Sequence, residues 1–192
     1  VITGVGGYVP EYILTNEELA RMVDTNDEWI TTRVGIKERR ILKEEGLGSS
    51  YLARKAAKQL IQKTGVDPQT IDCVICATTT SDYRFPSNAS IVIGKLGLTN
   101  AHGFDVSCAC CGFLYTVDMA STFIESGRYK RVMVIAAEKM SSIVDYQDRQ
   151  TCVLFGDGAA AVMLEATTEE GVGFQDSFLR TNGIGLPYLH MK

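Results

Sequence analysis

The chain has 192 residues, of which 45% are hydrophobic and 22% are charged, a balance typical of a soluble globular protein with one good-sized core. Its net charge of -4 gives no support to a nucleic-acid binder or to a basic helix on a membrane surface, since both concentrate Lys and Arg. No apolar run approaches the roughly 18 residues that a membrane span needs.

Short apolar runs alternate with amphipathic helical patterns along the first part of the chain. Residues 1–7 form a β-branched run that ends in glycines, as expected of a strand already trimmed at its start. Thr15 and Glu18 have the spacing of a capping box before a short apolar stripe. A clearer amphipathic pattern predicts a helix that opens at residue 49 or 50 and ends at Gly65.

The same alternation continues to the end of the chain. It predicts helices at residues 88–96 and 113–127, and strands at residues 71–79, 104–106, 132–137, 153–165 and 172–179. Strands that alternate with helices predict an α/β layered fold with a mostly parallel sheet. The tail from residue 183 has the composition of a loop, and we expect the protein to continue beyond it.

Six cysteines lie in apolar or glycine-rich surroundings, at positions 73, 76, 108, 110, 111 and 152. In a chain of this size they favour buried or reactive thiols in a reducing compartment, so we expect a cytoplasmic protein. Cys73 and Cys76 match half of a zinc signature, but residues three apart on a strand point to opposite faces. Neither His102 nor His190 has ligand spacing from them. We therefore expect no metal site and interpret Cys73, Cys76 and Cys152 as core residues.

The segment DVSCACCGF at residues 105–113 is the most informative part of the chain. It leads from a predicted strand through small residues into a predicted helix. Such a turn lifts a side chain clear of the sheet, and the start of a helix favours a thiolate over a thiol. The pattern therefore indicates a nucleophilic cysteine. Close packing of three small cysteines between a helix and a sheet is the competing interpretation, and spacing alone leaves both open.

Other motifs follow one another along essentially the whole chain. They are VDTNDEWI at residues 23–30, TRVGIKER at 32–39, ATTT at 77–80, FPS at 85–87, DR at 148–149 and FGDGA at 155–159. Together with the cysteine segment, they resemble the β-ketoacyl-acyl-carrier-protein synthase III family of condensing enzymes. The resemblance implies a thiolase-like layered fold, with a mostly parallel mixed sheet flanked by helices. Residues 1–192 would form the N-terminal half of an αβαβα architecture, whose C-terminal half is absent from this chain.

The resemblance gives the cysteine segment a specific role. The family's nucleophile falls on Cys110, the cysteine two positions before Gly112. Cys108 and Cys111 stand where the family usually has small residues, and Cys111 is the alternative nucleophile.

Four further residues would bind coenzyme A by the same resemblance. In the family, the residues that match Trp29 and Arg149 sandwich the adenine, the one that matches Thr25 hydrogen-bonds it, and the one that matches Arg33 holds the phosphates. An indole, a guanidinium and a bidentate donor suit these tasks. Without the resemblance, Trp29 would be interpreted as a half-buried anchor, and Arg33 and Arg149 as surface charges.

Phe85 matches a residue that reaches across a dimer interface and shapes the partner's acyl pocket. The resemblance therefore implies a homodimer. A Phe at this position tends to restrict the pocket to short acyl primers, although branched or longer groups are compatible with the other walls.

The implied activity initiates bacterial type II fatty-acid synthesis. An acyl-CoA, typically acetyl-CoA, transfers its acyl group to Cys110, and a decarboxylative Claisen condensation with malonyl-acyl carrier protein then gives a 3-oxoacyl-acyl carrier protein. The acyl-CoA is a substrate, and no cofactor is implied. The His and Asn that stabilise the enolate belong to the second half, and neither His102 nor His190 lies in the family's His motif. We therefore expect this chain alone to be an incomplete enzyme.

Two kinds of alternative stay open at this point. Hydroxymethylglutaryl-CoA synthase, plant-type polyketide synthases and synthases with other primers share the fold, but Trp29, Arg33 and Arg149 together favour the initiating enzyme. A non-catalytic α/β binding domain, whose cysteines only fill the core, is the alternative from a different class.

Overall fold

The computed structural model describes residues 1–188 and residue 190. The strands in this part of the chain are β1 (Ile2–Tyr8), β2 (Tyr12–Thr15), β3 (Glu38–Ile41), β4 (Cys73–Ala77), β5 (His102–Val106), β6 (Arg131–Lys139) and β7 (Asp157–Glu165). The α-helices are α1 (Asn16–Leu19), α2 (Asp27–Val34), α3 (Ser49–Thr64), α4 (Asn88–Leu96) and α5 (Gly112–Glu125). Short 3₁₀ turns lie at Pro68–Thr70, Ala109–Cys111, Met140–Ser142 and Gly183–Gly185. Within the described residues, no helix is long and apolar enough to cross a membrane.

Five strands form one mixed sheet in the order β1-β7-β6-β4-β5. Strands β6, β4 and β5 pair in parallel, and β7 pairs antiparallel with both β6 and β1. Four of the five strands therefore run in the same direction, as the mostly parallel prediction requires. Strands β2 and β3 form a separate antiparallel pair.

The sheet is covered on both faces, and β4 is buried along its whole length. On one face, Val74 and Met133 pack in a cluster with residues of α3 and α4. On the other face, Ile75 and Val134 pack with residues of α5. Alternate residues of each strand thus enter different clusters, because successive side chains of a strand point to opposite sides. The predicted layered α/β fold with flanking helices is confirmed.

Helix ends lie where the sequence marks them. Helix α3 stops at Gly65, whose φ of 67° is left-handed, and its N–H bonds to the carbonyl of Ile61. Helix α4 begins after Ser87, whose hydroxyl accepts from the N–H of Ser90 at 3.1 Å. Its predicted range of 88–96 is confirmed.

The capping box at Thr15 forms only in part. The Thr15 hydroxyl accepts from the N–H of Glu18 at 3.2 Å, as predicted. The Glu18 carboxylate, however, accepts from the hydroxyl of Tyr12. Helix α1 is accordingly a single turn that ends at Leu19.

Two predicted strands differ from the structure. Strand β7 begins at Asp157 and not at Val153, because residues 151–154 form a turn whose Val153 carbonyl accepts from the buried Arg39 guanidinium. Residues 172–179 contain no strand, and Phe178 there is exposed. The pair of β2 with β3, and helix α2, were not predicted.

Candidate active site

Cys110 lies on a sharp turn between strand β5 and helix α5. The strand ends at Val106, and residues 109–111 form a 3₁₀ turn that leads directly into α5 at Gly112. The turn is closed by a hydrogen bond from the Cys111 N–H to the Cys108 carbonyl at 3.2 Å. The side chain of Cys110 is exposed. The predicted strand-to-helix turn that lifts this cysteine clear of the sheet is therefore present.

Two neighbours of Cys110 fix the shape of the turn. Ala109 has a φ of 46°, which a residue with a side chain rarely adopts and which costs about 1–2 kcal/mol relative to the right-handed region. Gly112 packs so tightly on strand β4 that an added Cβ would lie 2.9 Å from the Cβ of Ala77. The turn thus combines backbone strain with contact against the central strand. Strain of this kind persists only where the surrounding structure holds it, and it is common at functional sites.

Cys110 lines an open cavity of about 380 Å³. Most of its wall consists of small residues at the ends of the strands, namely Ala77, Ala109, Ala136, Ala137, Gly158, Ala159 and Ala160, with Phe113 and Glu138 completing it. The position agrees with the rule that sites in α/β sheets lie beyond the carboxyl ends of parallel strands, since Ala77 ends β4. A thiol in this position is accessible to a small acyl group.

Among the described residues that line this cavity, Glu138 is the only carboxylate, and sequence reasoning missed it. Its Oε1 accepts from the Thr79 N–H at 2.7 Å and from the Thr79 hydroxyl at 3.1 Å. Its Oε2 accepts from the hydroxyls of Thr78, at 3.4 Å, and of Thr80. Glu138 therefore ties the end of β6 to the segment that continues from β4. A lone Glu after an apolar strand gives no signal for such a role, because its partners lie 58 to 60 residues away in the sequence.

Asp105 is a second carboxylate whose role the sequence did not indicate. Its two oxygens accept from the N–H groups of Asn88 and Ala89, at 2.7 and 2.9 Å, so that it caps α4 from strand β5. A carboxylate at this end of a helix is favoured by the helix dipole. The end of β5 is thereby held in place three residues before Cys108.

The other cysteines contrast with the turn that carries Cys110. Cys73, Cys76 and Cys152 are fully buried, which confirms their interpretation as core residues. Burial raises the pKa of Cys73 to about 12 and also raises the pKa of Cys76 and Cys152. Buried thiols of this kind are unreactive because they stay protonated. Cys73 and Cys76 lie in clusters on opposite faces of the sheet, so they cannot share a metal ion. Among the described residues, no group of metal-ligating side chains is assembled.

Trp29, Arg33 and Arg149 come together on the surface of α2. The guanidinium of Arg33 lies 4.3 Å from the centre of the Trp29 ring, and that of Arg149 lies 4.5 Å from it. Arg149 also donates to the carbonyl of Asp24 at 3.0 Å, which fixes it against the segment that precedes α2. Three of the four residues predicted to bind coenzyme A thus form one cluster, although Arg149 is 116 or more residues from the other two in the sequence.

Thr25 belongs to the same segment, directly after Asp24. Its hydroxyl is buried and has no hydrogen-bond partner among the residues that the structure describes. An unpaired buried polar group costs about 1–3 kcal/mol, so such groups are rare in folded proteins. The Thr25 hydroxyl therefore offers, next to Asp24 and the cluster of Trp29 with its two arginines, a hydrogen-bonding capacity that the described part of the fold does not use.

Phe85 lies apart from the Cys110 cavity. It is 85% exposed and does not line the cavity wall. Tyr83, two residues earlier, is 61% exposed. Burying such aromatic side chains is favourable, so this loop has the character of a contact surface.

Comparison with known proteins shows what the chain is similar to. Residues 104–183, which include the Cys110 turn, match the model of 3-oxoacyl-[acyl-carrier-protein (ACP)] synthase III. A β-ketoacyl-[acyl-carrier-protein] synthase III of Bacteroides thetaiotaomicron is 68% identical over all 192 residues, and one of Porphyromonas gingivalis (strain W83) is 55% identical over 191 residues. The alignment with each of these relatives covers 100% of this chain but only 57% of the relative.

Solved structures agree with the sequence matches. The β-ketoacyl-[acyl-carrier-protein] synthase III of Thermus thermophilus superposes with a TM-score of 0.93 at 39% identity, over 98% of this chain and 58% of that one. The 3-oxoacyl-[acyl-carrier-protein] synthase III of Aquifex aeolicus gives a TM-score of 0.84 at 50% identity, over 88% of this chain and 54% of that one. Over the length that it spans, the chain is similar in sequence and in fold to β-ketoacyl-[acyl-carrier-protein] synthases III.

Similarity to these synthases accounts for the architecture described above. The thiolase-like layered fold that the motifs implied is confirmed, with its mixed sheet between helical layers. The chain spans a little more than half the length of the synthase III relatives it matches. Cys108 and Cys111 both lie on the same turn as Cys110.

Proposed function

We propose that the protein to which this chain belongs is the initiating condensing enzyme of type II fatty-acid synthesis, with Cys110 as its acyl acceptor. The observation that carries the proposal is the exposed thiol of Cys110 on a strained turn at the start of α5, facing an open cavity. Helix starts carry free N–H groups and partial positive charge, which stabilise negative charge on a nucleophile or an oxyanion.

In the first half-reaction, the thiolate of Cys110 attacks the carbonyl carbon of an acyl-CoA, for which acetyl-CoA is the expected case. The tetrahedral intermediate collapses, the thiol of coenzyme A leaves, and the acyl group stays on sulfur as a thioester. The backbone N–H of Cys110 is suited to bind the oxyanion of that intermediate. No cofactor is needed for this step, because the acyl-CoA itself is the activated substrate.

The cluster of Trp29, Arg33 and Arg149 is the proposed site for the adenine end of coenzyme A. Both guanidinium groups already lie over the indole, so an adenine that stacks between Trp29 and Arg149 must first displace the Arg149 side chain. Arg33 would then be free to pair with the phosphates as a bidentate donor. The unpartnered Thr25 hydroxyl would gain a hydrogen bond to the base, which offsets the displaced cation–π contact.

The second half-reaction requires residues outside this chain. Malonyl-acyl carrier protein would lose carbon dioxide, and the resulting enolate would attack the thioester on Cys110. The His and Asn that stabilise the enolate are expected in the remaining part of the protein, with residues 1–192 as its N-terminal half. Phe85, exposed on its loop, is proposed to reach across the interface of a homodimer in the cytoplasm and to limit the partner's acyl pocket.

Acyl transfer to Cys110 is directly testable. The full-length protein is incubated with radiolabelled acetyl-CoA, digested, and analysed by mass spectrometry. We expect stoichiometric acetylation at Cys110, and its complete loss in Cys110→Ala. Cys111→Ala is the matched control, because it removes the adjacent exposed thiol and leaves the proposed nucleophile in place. Acetylation that moves to Cys111, or that occurs slowly at all six cysteines, would overturn the assignment.

The coenzyme A site has its own test. Trp29→Ala should weaken binding of coenzyme A, measured by isothermal titration calorimetry, since it removes the surface on which the base and both guanidiniums stack. A variant at an exposed aromatic residue outside the cluster, such as Phe178→Ala, is the control. Equal affinities of the two variants would exclude this cluster as the nucleotide site.

A further inference from the structure

The turn that presents Cys110 holds two more thiols, for which acyl transfer provides no use. Cys108 precedes the turn, and Cys111 is the residue from which α5 begins. Cys111 is exposed and Cys108 is partly exposed, unlike the three fully buried cysteines of the core. With Ala109 and Cys110 between them, they form a Cys-x-x-Cys sequence at the start of a helix.

The backbone places Cys108 and Cys111 within disulfide distance. The hydrogen bond from the Cys111 N–H to the Cys108 carbonyl, at 3.2 Å, closes a four-residue turn. The Cα atoms at the two ends of a β-turn lie less than about 7 Å apart, and disulfides join Cα atoms about 4.4–6.8 Å apart.

The other pairings on this turn are less favourable. A bond between the adjacent Cys110 and Cys111 would close a small ring across a single peptide unit, which resists distortion from planarity. A bond between Cys108 and Cys110 would span Ala109, whose φ of 46° is already strained. Cys110 also lies inside the turn, whereas Cys108 and Cys111 lie at its two ends. The pair that closes the base of the turn is therefore the one that needs the least backbone movement.

We propose that Cys108 and Cys111 form a reversible disulfide that encloses Cys110 in a four-residue loop, as a modification site for peroxides. One thiolate attacks the peroxide oxygen and becomes a sulfenic acid, with release of one water molecule when hydrogen peroxide is the oxidant. The second thiol then displaces hydroxide from that sulfur, the S–S bond forms, and a second water leaves. The two thiols lose two electrons, the peroxide gains them, and Cys110 keeps its thiol.

Such a couple is compatible with a reducing compartment, where disulfides are usually transient and serve redox sensing. Only the functional effect of this disulfide rests on the proposed function: the four-residue loop that it closes would contain the acyl acceptor. Formation of the disulfide itself depends on the turn geometry alone.

The tryptic peptide of residues 96–128 makes the test simple, because it contains Cys108, Cys110 and Cys111 and no other cysteine. The full-length protein is treated with hydrogen peroxide, blocked with N-ethylmaleimide and digested. We expect the labels on this peptide to fall from three to one, with the remaining label on Cys110. Dithiothreitol before blocking should restore all three. Retention of three labels, or a disulfide that includes Cys110, would refute the proposal.

Matched variants separate this outcome from the fate of the acyl-transfer proposal. After peroxide, Cys108→Ser and Cys111→Ser should each keep two labels, whereas Cys110→Ala should keep none. A disulfide that persists in Cys108→Ser would show that another pair is responsible. Acetylation of reduced Cys110 by acetyl-CoA is measured on the same samples, so failure of one proposal is seen independently of the other.

Discussion

Removal of the Glu138 carboxylate is the perturbation with the clearest structural consequence. Glu138→Gln keeps the size of the side chain and retains one oxygen that accepts from the Thr79 N–H. The new amide nitrogen, however, replaces an oxygen that accepts from the Thr78 and Thr80 hydroxyls. The Thr80 hydroxyl also accepts from the Lys139 N–H at 2.8 Å, so a bond from the new amide would occupy its second lone pair and leave its own hydrogen without the carboxylate acceptor.

The expected cost follows from these contacts. Hydrogen bonds to a charged acceptor contribute about 1.5–3 kcal/mol, and neutral ones about 1 kcal/mol. Glu138→Gln weakens the contacts on one of the two oxygens, so we expect a loss of about 1–2 kcal/mol in the free energy of unfolding. Glu138→Ala removes every contact and should cost about 3 kcal/mol. Because residues 78–80 continue from Ala77, on which Gly112 packs, the loss should also reach the turn of Cys110.

Urea unfolding of the full-length protein measures the stability change, and the rate of acetylation of Cys110 measures the effect on the site. Glu165→Gln is the matched control, since it breaks an ion pair with Arg131 at the opposite end of the paired strands β6 and β7. We expect Glu138→Gln to slow acetylation at least tenfold more than Glu165→Gln does. If both variants acetylate at the same rate, Glu138 only stabilises the fold and does not position the nucleophile turn.

Three further predictions concern other parts of the site and the core. Thr25→Val removes an unpartnered buried hydroxyl at constant volume, so calorimetry should show weaker coenzyme A binding while the unliganded protein becomes more stable by about 1 kcal/mol. Gly112→Ala should cost about 1–3 kcal/mol in urea unfolding, since its Cβ would lie 2.9 Å from that of Ala77; a more stable variant would contradict this packing. Burial raises the pKa of Cys73 to about 12, above the roughly 8.5 of an unfolded chain. Its contribution to stability is therefore full below about pH 8.5 and declines as the pH rises toward 12. Cys73→Ala should flatten that decline, and an unchanged slope would show that Cys73 does not titrate on unfolding.

The elements that the sequence predicted well are those whose signals are local. Helix α4 was predicted at its correct bounds because Gly97 ends it and an apolar stripe runs through it. The run around β4 predicted a strand buried on both faces, as it is. In both cases neighbouring residues alone determine the period of the pattern and the position of the stop.

The elements that were missed depend on distant partners. Strand β3 reads as a charged segment, but its Arg39 is 3% exposed because Asn16 and the Val153 carbonyl bind the guanidinium. The same contact holds Val153 in a turn, which explains why the predicted strand began too early. A pattern of apolar and polar residues predicts that an Arg faces solvent. The pattern does not show that acceptors from two other segments surround Arg39 in the folded chain.

The candidate site shows the same division. The turn at Cys110 was predicted from local chemistry, and the cluster around Trp29 from the resemblance of the motifs. The contacts of Glu138 and the unpaired Thr25 hydroxyl were not predictable, since each depends on which atoms the folded chain brings near.

The left-handed alanine before Cys110 has a consequence for attempts to engineer this protein. Ala109→Gly would relieve the strain at a φ of 46°, and a search for stabilising substitutions would rank that change highly. A glycine would, however, let the backbone sample many more conformations, and the direction of the adjacent thiol would become less defined. The methyl group of Ala109 thus limits the disorder of the nucleophile at the expense of folding energy. A screen for thermostability should therefore favour Ala109→Gly, whereas a screen for activity should reject it.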